Sequence, residues 1–134
     1  MKTFGQILIL ICCCTLWTGC KTQSIGTPVS NPNRDIIGSW EGCDGRVITF
    51  SRDEDGEITG HYSQLGELEK YNFSQDEIGY KVTQQSAGTY TGLVKWRSTA
   101  GAETWKKVTI TIEGGSYKDN SSDGCSKNMK RLEP

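Results

Sequence analysis

The chain has one histidine, three prolines and no apolar run of the length that crosses a bilayer, within 134 residues. Each shortage excludes something. A single histidine, His61, leaves no cluster of imidazoles for a metal. Lys and Arg number 15 against 16 Asp and Glu, for a formal net charge of −1, and no block of like charge stands out. Nothing in that balance argues for nucleic acid or for an electrostatically held membrane surface. No Gly-x-Ser-x-Gly elbow occurs, and the body of the chain has no helical period of useful length. The length suits one small domain and excludes a multidomain enzyme. Cysteine is plentiful in number, six residues, but scarce where a fold would use it: Cys12, Cys13, Cys14 and Cys20 lie in the first twenty positions, leaving Cys43 and Cys125 in the body.

The first twenty residues carry the strongest pattern. Lys2 gives a short positive start, an apolar run follows from Phe4 to Trp17, and the small residues Thr18 and Gly19 precede Cys20. A run of about 14 residues falls short of the roughly 20 that span a bilayer as a helix, so the layout is that of a secretory signal peptide. Leu16-Trp17-Thr18-Gly19-Cys20 resembles the lipidation site of bacterial lipoproteins, in which the cysteine is acylated and the signal removed ahead of it. That resemblance implies a signal over 1–19, a lipid such as palmitate on Cys20, and attachment to the cell envelope. Cleavage there removes 19 residues and leaves 115. Lys21 stands where an inner-membrane retention signal would place Asp, which favours the outer membrane by analogy.

Residues 20–34 then read as a lipid-bearing cysteine and a flexible tether, KTQSIGTPVSNPNR after Cys20, rich in Thr, Ser, Asn and Pro. The domain is expected over 35–134. Short alternating segments separated by turn residues recur along it. The strand candidates are Ile36–Glu41, Arg46–Arg52, Glu57–Gln64, Leu68–Phe73, Ile78–Gln84, Thr89–Arg97, Trp105–Glu113 and Ser126–Leu132. Asp44-Gly45, Asp55-Gly56 and Gly114-Gly115 supply the positive φ angles of tight hairpins. Tyr80 and Val82, Tyr90, Val94 and Trp96, and Val108, Ile110 and Ile112 each share one face of a strand, with Lys81, Lys95, Thr109 and Thr111 opposite.

Eight antiparallel strands with short connections predict an all-β, up-and-down barrel, which leaves no open edge; an open sandwich is the alternative. Cys43 follows the first strand and Cys125 begins the last, and those strands become neighbours only if the sheet closes on itself. In an exported protein that pair predicts a disulfide, the alternative being two free thiols.

Gly38-Ser39-Trp40 at the start of the first strand is similar to the Gly-x-Trp signature of lipocalins and the wider calycin group. The resemblance implies a lipocalin-like barrel closed at its base by Trp40, packed against a basic residue of the last strand, here Arg131, with Lys130 second in line. It further implies a small lipocalin-like bacterial lipoprotein that binds a small apolar ligand or lipid. Tyr80, Tyr90, Trp96 and Trp105 are the aromatic residues expected to line that site. A protein-binding module acting through the exposed loops Ser98–Thr104 and Asp119–Gly124 is the alternative. No catalytic residue is expected: His61 reads as an exposed strand position, and Asp53-Glu54-Asp55-Gly56-Glu57 lacks the twelve-residue geometry of a calcium loop and reads as a solvated hairpin tip. Neither a metal nor a cofactor is called for.

Overall fold

A computed structural model describes residues 31–134 of the chain. The signal segment and Cys20 lie outside that range. The described residues form a closed antiparallel barrel of eight strands in simple up-and-down order. The strands are β1 Gly38–Glu41, β2 Val47–Arg52, β3 Ile58–Gln64, β4 Ile78–Ser86, β5 Thr89–Arg97, β6 Glu103–Glu113, β7 Ser116–Asp119 and β8 Asn128–Leu132. Closure is made by β1 against β8, with Trp40 opposite Arg131. This architecture is compatible with a lipocalin-like fold.

One expected strand is absent and one unexpected strand takes its place. Leu68–Phe73 lies mostly in a 3-10 helix, Gly66–Tyr71, rather than a strand. Leu65, Leu68 and Tyr71 recur every third residue, which is the 3-10 period. Leu68 is buried and the two flanking residues pack on the core. Asn72 ends the helix in the left-handed region, at φ 60°. The eighth strand comes instead from β7, which was expected to be a connection. Its four residues alternate out and in, but the second inward position holds Asp119, so the polar residue hides the alternation.

Alternation fills the barrel. Ile48, Phe50, Ile58, Tyr62, Tyr80, Val82, Tyr90, Val94, Val108, Ile110, Ile112 and Tyr117 are all buried. The two ends of the barrel are closed differently. At the base, where β1 begins, Ile36 and Trp40 are fully buried. At the opposite end, the mouth, the segment between β3 and β4 inserts Leu68 and Phe73. The Cys43–Cys125 disulfide joins the β1–β2 turn to the β7–β8 loop at this end, with Cα atoms 4.9 Å apart. Arg46 clasps Asp44 with bonds of 2.8 and 2.7 Å, and Asp44 also accepts the Glu67 N–H at the start of the helix. The mouth is therefore tied shut by covalent, ionic and apolar contacts together.

Pro32–Arg34, expected within the tether, are held to the base. The Gly115 N–H donates to the Asn33 carbonyl at 3.3 Å, Arg131 donates to the Pro32 carbonyl at 3.1 Å, and the Tyr90 hydroxyl donates to the Arg34 carbonyl at 3.1 Å.

Candidate functional site

The interior is the first place to look, since a barrel of eight strands either packs its lumen or holds one small ligand. Here aromatic rings stack up it from base to mouth. Trp40 and Tyr117 have ring centroids 5.5 Å apart, Tyr117 and Phe50 6.3 Å, Phe50 and Tyr80 5.5 Å, Tyr80 and Tyr62 6.4 Å, and Tyr62 and Phe73 5.2 Å. The column has one polar junction. The Tyr80 and Tyr117 hydroxyls both donate to Oδ2 of the buried Asp119, at 2.9 and 3.2 Å, and the Ser121 N–H donates to its Oδ1 at 2.6 Å. Burial first, then a neighbouring tyrosine (Tyr62 for Tyr80, Tyr80 for Tyr117) and Asp119, push both phenols well above their usual range. These tyrosines stay neutral donors.

The four aromatics expected to line a ligand site do not share one. Tyr80 lies within the column and Tyr90 is a base residue, its hydroxyl accepting the Ile36 N–H at 3.2 Å. Trp96 is half-buried near the mouth, with the Lys106 ammonium 3.9 Å above its ring. Trp105 stands on the outer wall. Its position follows from parity, because Val108, Ile110 and Ile112 point inward from the same strand and Trp105 is an odd number of residues away from each.

The base pairing has definite geometry. The Arg131 guanidinium sits 4.2 Å from the Trp40 ring centroid. It donates to the Ile37 carbonyl at 2.8 Å and to the Asp35 carbonyl, while Trp40 Nε1 donates to the Ile36 carbonyl at 2.8 Å. Arg131 therefore fastens both the tryptophan and the segment that precedes β1. A shallow groove of about 570 Å³ lies outside this corner, lined among others by Asn33, Gly115, Met129, Lys130 and Glu133.

The outer wall of β4–β6 carries a second cluster. Lys95 pairs with Trp105 across the β5–β6 ladder, and Lys81 pairs with Leu93, which pairs with Lys107. Two ammonium groups lie over the Trp105 ring, that of Lys81 at 5.3 Å and that of Lys95 at 5.2 Å from its centroid. Leu93 beside it is 40% exposed. Lys81, Lys107 and, further round on β7, Lys118 are exposed and make no ion pair among the described residues. Most of the acidic residues gather away from this wall. Asp53, Glu54, Asp55 and Glu57 form the β2–β3 turn at the base, and Glu67 and Glu69 are on the 3-10 helix at the mouth.

Among the described residues, three acidic ones border this wall, Glu77 before β4 and Glu103 and Glu113 at the two ends of β6. The Glu77 carboxylate meets Lys95 at 2.9 Å and Arg97 at 2.6 Å, and Arg97 reaches on to Glu103 at 2.5 Å. Burial would raise the Glu77 carboxyl, but hydrogen bonds from Arg97, the Ser74 N–H and Lys95 outweigh it and hold the group down at about 2. His61, also on the outside, is held by Thr59 at 3.2 Å and the Asp76 carbonyl at 3.0 Å.

The fold and this wall define a class, a small closed barrel with a filled interior and a basic, aromatic flank. Comparisons with protein-family models, curated proteins and solved structures find no match for the chain. Sequence reasoning found the aromatics and set Lys81 and Lys95 on the outer face. It missed Leu93, Lys107, Glu77 and Asp119. Position parity could have found Leu93 and Lys107, since both lie out of step with the inward set of their strands.

Proposed function

We propose that this protein is a non-catalytic binding module of the bacterial envelope, lipid-anchored at Cys20, that meets an anionic partner through the outer wall of β4–β6. One observation carries the reading: the Lys81 and Lys95 ammonium groups both lie over Trp105, beside exposed Leu93, on a wall where Lys81 and Lys107 lack carboxylate partners among the described residues. An apolar ligand in the lumen would have to displace the aromatic column, so the outside is the better supported surface. Cation–π contact holds the indole against the sheet and keeps the lysines raised around it.

Retention on polyglutamate beads tests the wall. The protein should be held at low salt and released as ionic strength rises, because exposed charges are screened over about 8 Å at physiological salt. Lys81→Gln with Lys107→Gln should elute well before the parent. Equal elution of the two would remove the reading. Palmitate labelling that disappears in Cys20→Ala tests the anchor separately.

A further inference from the structure

We infer that the anionic partner of the β4–β6 wall is the phospholipid surface of the membrane that holds the anchor, so that the barrel lies on its side against the bilayer. This rests on the binding-module reading above and names its partner. Tryptophan, leucine and lysine on one face are the combination that suits a membrane interface: the indole sits at headgroup level, the apolar side chain enters the acyl boundary, and the ammonium groups meet lipid phosphates. The wall supplies Trp105, Leu93, Lys81 and Lys107 within neighbouring ladder positions. An acidic protein would be met by the lysines equally well, but it gives no use to a leucine exposed beside them.

The route of the chain agrees. Asn33 is bonded to Gly115 in the β6–β7 turn, so the polypeptide leaves the barrel at the foot of β6, beside the lysine-bearing strands. Ten residues separate Cys20 from Asn31, a reach of at most ~40 Å over the eleven steps between them. The eleven residues of β6 extend about 36 Å. The tether is therefore long enough for the wall to lie flat on the surface wherever along the barrel the lipid sits. The acidic β2–β3 turn and the 3-10 helix are at the two ends of the barrel, and of the two glutamates that end β6 on this flank, Glu103 is paired with Arg97 and Glu113 lies at the foot of the strand.

The test uses the full lipoprotein, purified from its membrane and reconstituted into vesicles of phosphatidylcholine alone or with roughly 30% phosphatidylglycerol, in which some acyl chains carry bromine. Bromine quenches tryptophan emission only at close range. We expect quenching in the anionic vesicles at low salt, at least about twofold above that in neutral ones, lost at high salt, in Trp105→Phe and in Lys81→Gln with Lys107→Gln. Circular dichroism and an intact disulfide by mass establish that each variant is folded. Equal quenching in neutral vesicles, or none in either, overturns the inference. Retention on polyglutamate without quenching assigns the wall to an acidic protein, overturning the membrane as partner while leaving the wall as the binding surface. Flotation with vesicles at high salt reads the anchor by itself, so its failure is seen apart from that of the wall.

Discussion

Gly60 and Gly79 show how single residues make room for the aromatic column. A Cβ on Gly79 would stand 2.3 Å from the Tyr62 ring, and one on Gly60 2.7 Å from Phe50. Glycine inside a strand ordinarily costs roughly 0.5–1 kcal/mol relative to alanine, whereas forcing atoms into a packed core costs about 1–3 kcal/mol. The clash is the larger effect. Gly79→Ala should therefore lower the urea midpoint despite its better strand propensity. Gly124→Ala is the control, since its Cβ would meet only Ser122 Oγ at 3.5 Å; it should leave stability unchanged or raise it by a few tenths to ~1 kcal/mol. A Gly79→Ala protein as stable as the parent would mean that Tyr62 has freedom the packing does not suggest. Alternation marked Tyr80 and Tyr90 as sharing a face with the apolar residues of their strands, but it could not say that glycines beside Phe50 and Tyr62 serve as sockets for those rings, because that depends on neighbours brought together across the ladder.

Among the elements, the segment between β3 and β4 and the β5–β6 hairpin are fastened by Glu77. The carboxylate takes Lys95 and Arg97 from β5 and the Ser74 N–H from its own turn, and Arg97 also lies over the Phe73 ring at 4.6 Å. Because the folded carboxyl titrates at about 2 rather than at its ordinary 4.5, its contribution is fully present above pH 4.5 and fades as the pH falls toward 2. The melting temperature should drop across that window, and the drop should be smaller in Glu77→Gln, which has already lost the ion pairs. If the two proteins lose stability in parallel between pH 4.5 and 2, the clasp is not where the acid sensitivity lies. The same segment shows what element-level reading can and cannot reach. β4, β5 and β6 were legible from alternation, with Thr89–Arg97 matching to the residue. The 3-10 helix was not, because Leu68, Tyr71 and Phe73 look like a short apolar strand until the spacing from Leu65 is counted. β7 was hidden because its inward slot holds Asp119, whose two phenol partners come from β4 and from β7 itself. Those partners are unknown until the barrel closes.

At the scale of the whole molecule, closure depends on a short join. β1 and β8 share three paired positions, whereas β5 and β6 share nine. Two braces flank that join. Arg131 holds Trp40 and the preceding segment at the base, and Cys43–Cys125 holds the turn and loop at the mouth. The sequence pointed to both, since a cysteine after the first strand and another before the last make sense only in a closed sheet; what it could not place was the lysine wall, which arises from three strands folding side by side with the Trp105 ring laid across them. The sequence separation of 82 between the cysteines means that reduction releases a long loop in the unfolded chain, worth about 4.5 kcal/mol on a chain-entropy argument. The native consequence should be local. With the brace at the mouth gone, the three-pair join has less to hold it than the β4–β6 ladders, whose hydrogen bonds are intact. In hydrogen exchange of the reduced protein, amides of β1 and β8 should lose protection first, while those of β5 and β6 keep the protection set by global unfolding. Arg131→Ala should deepen that effect at the same amides from the other end. Equal loss of protection around all eight strands would show instead that the barrel opens as one unit and that the β1–β8 join is no weaker than the rest.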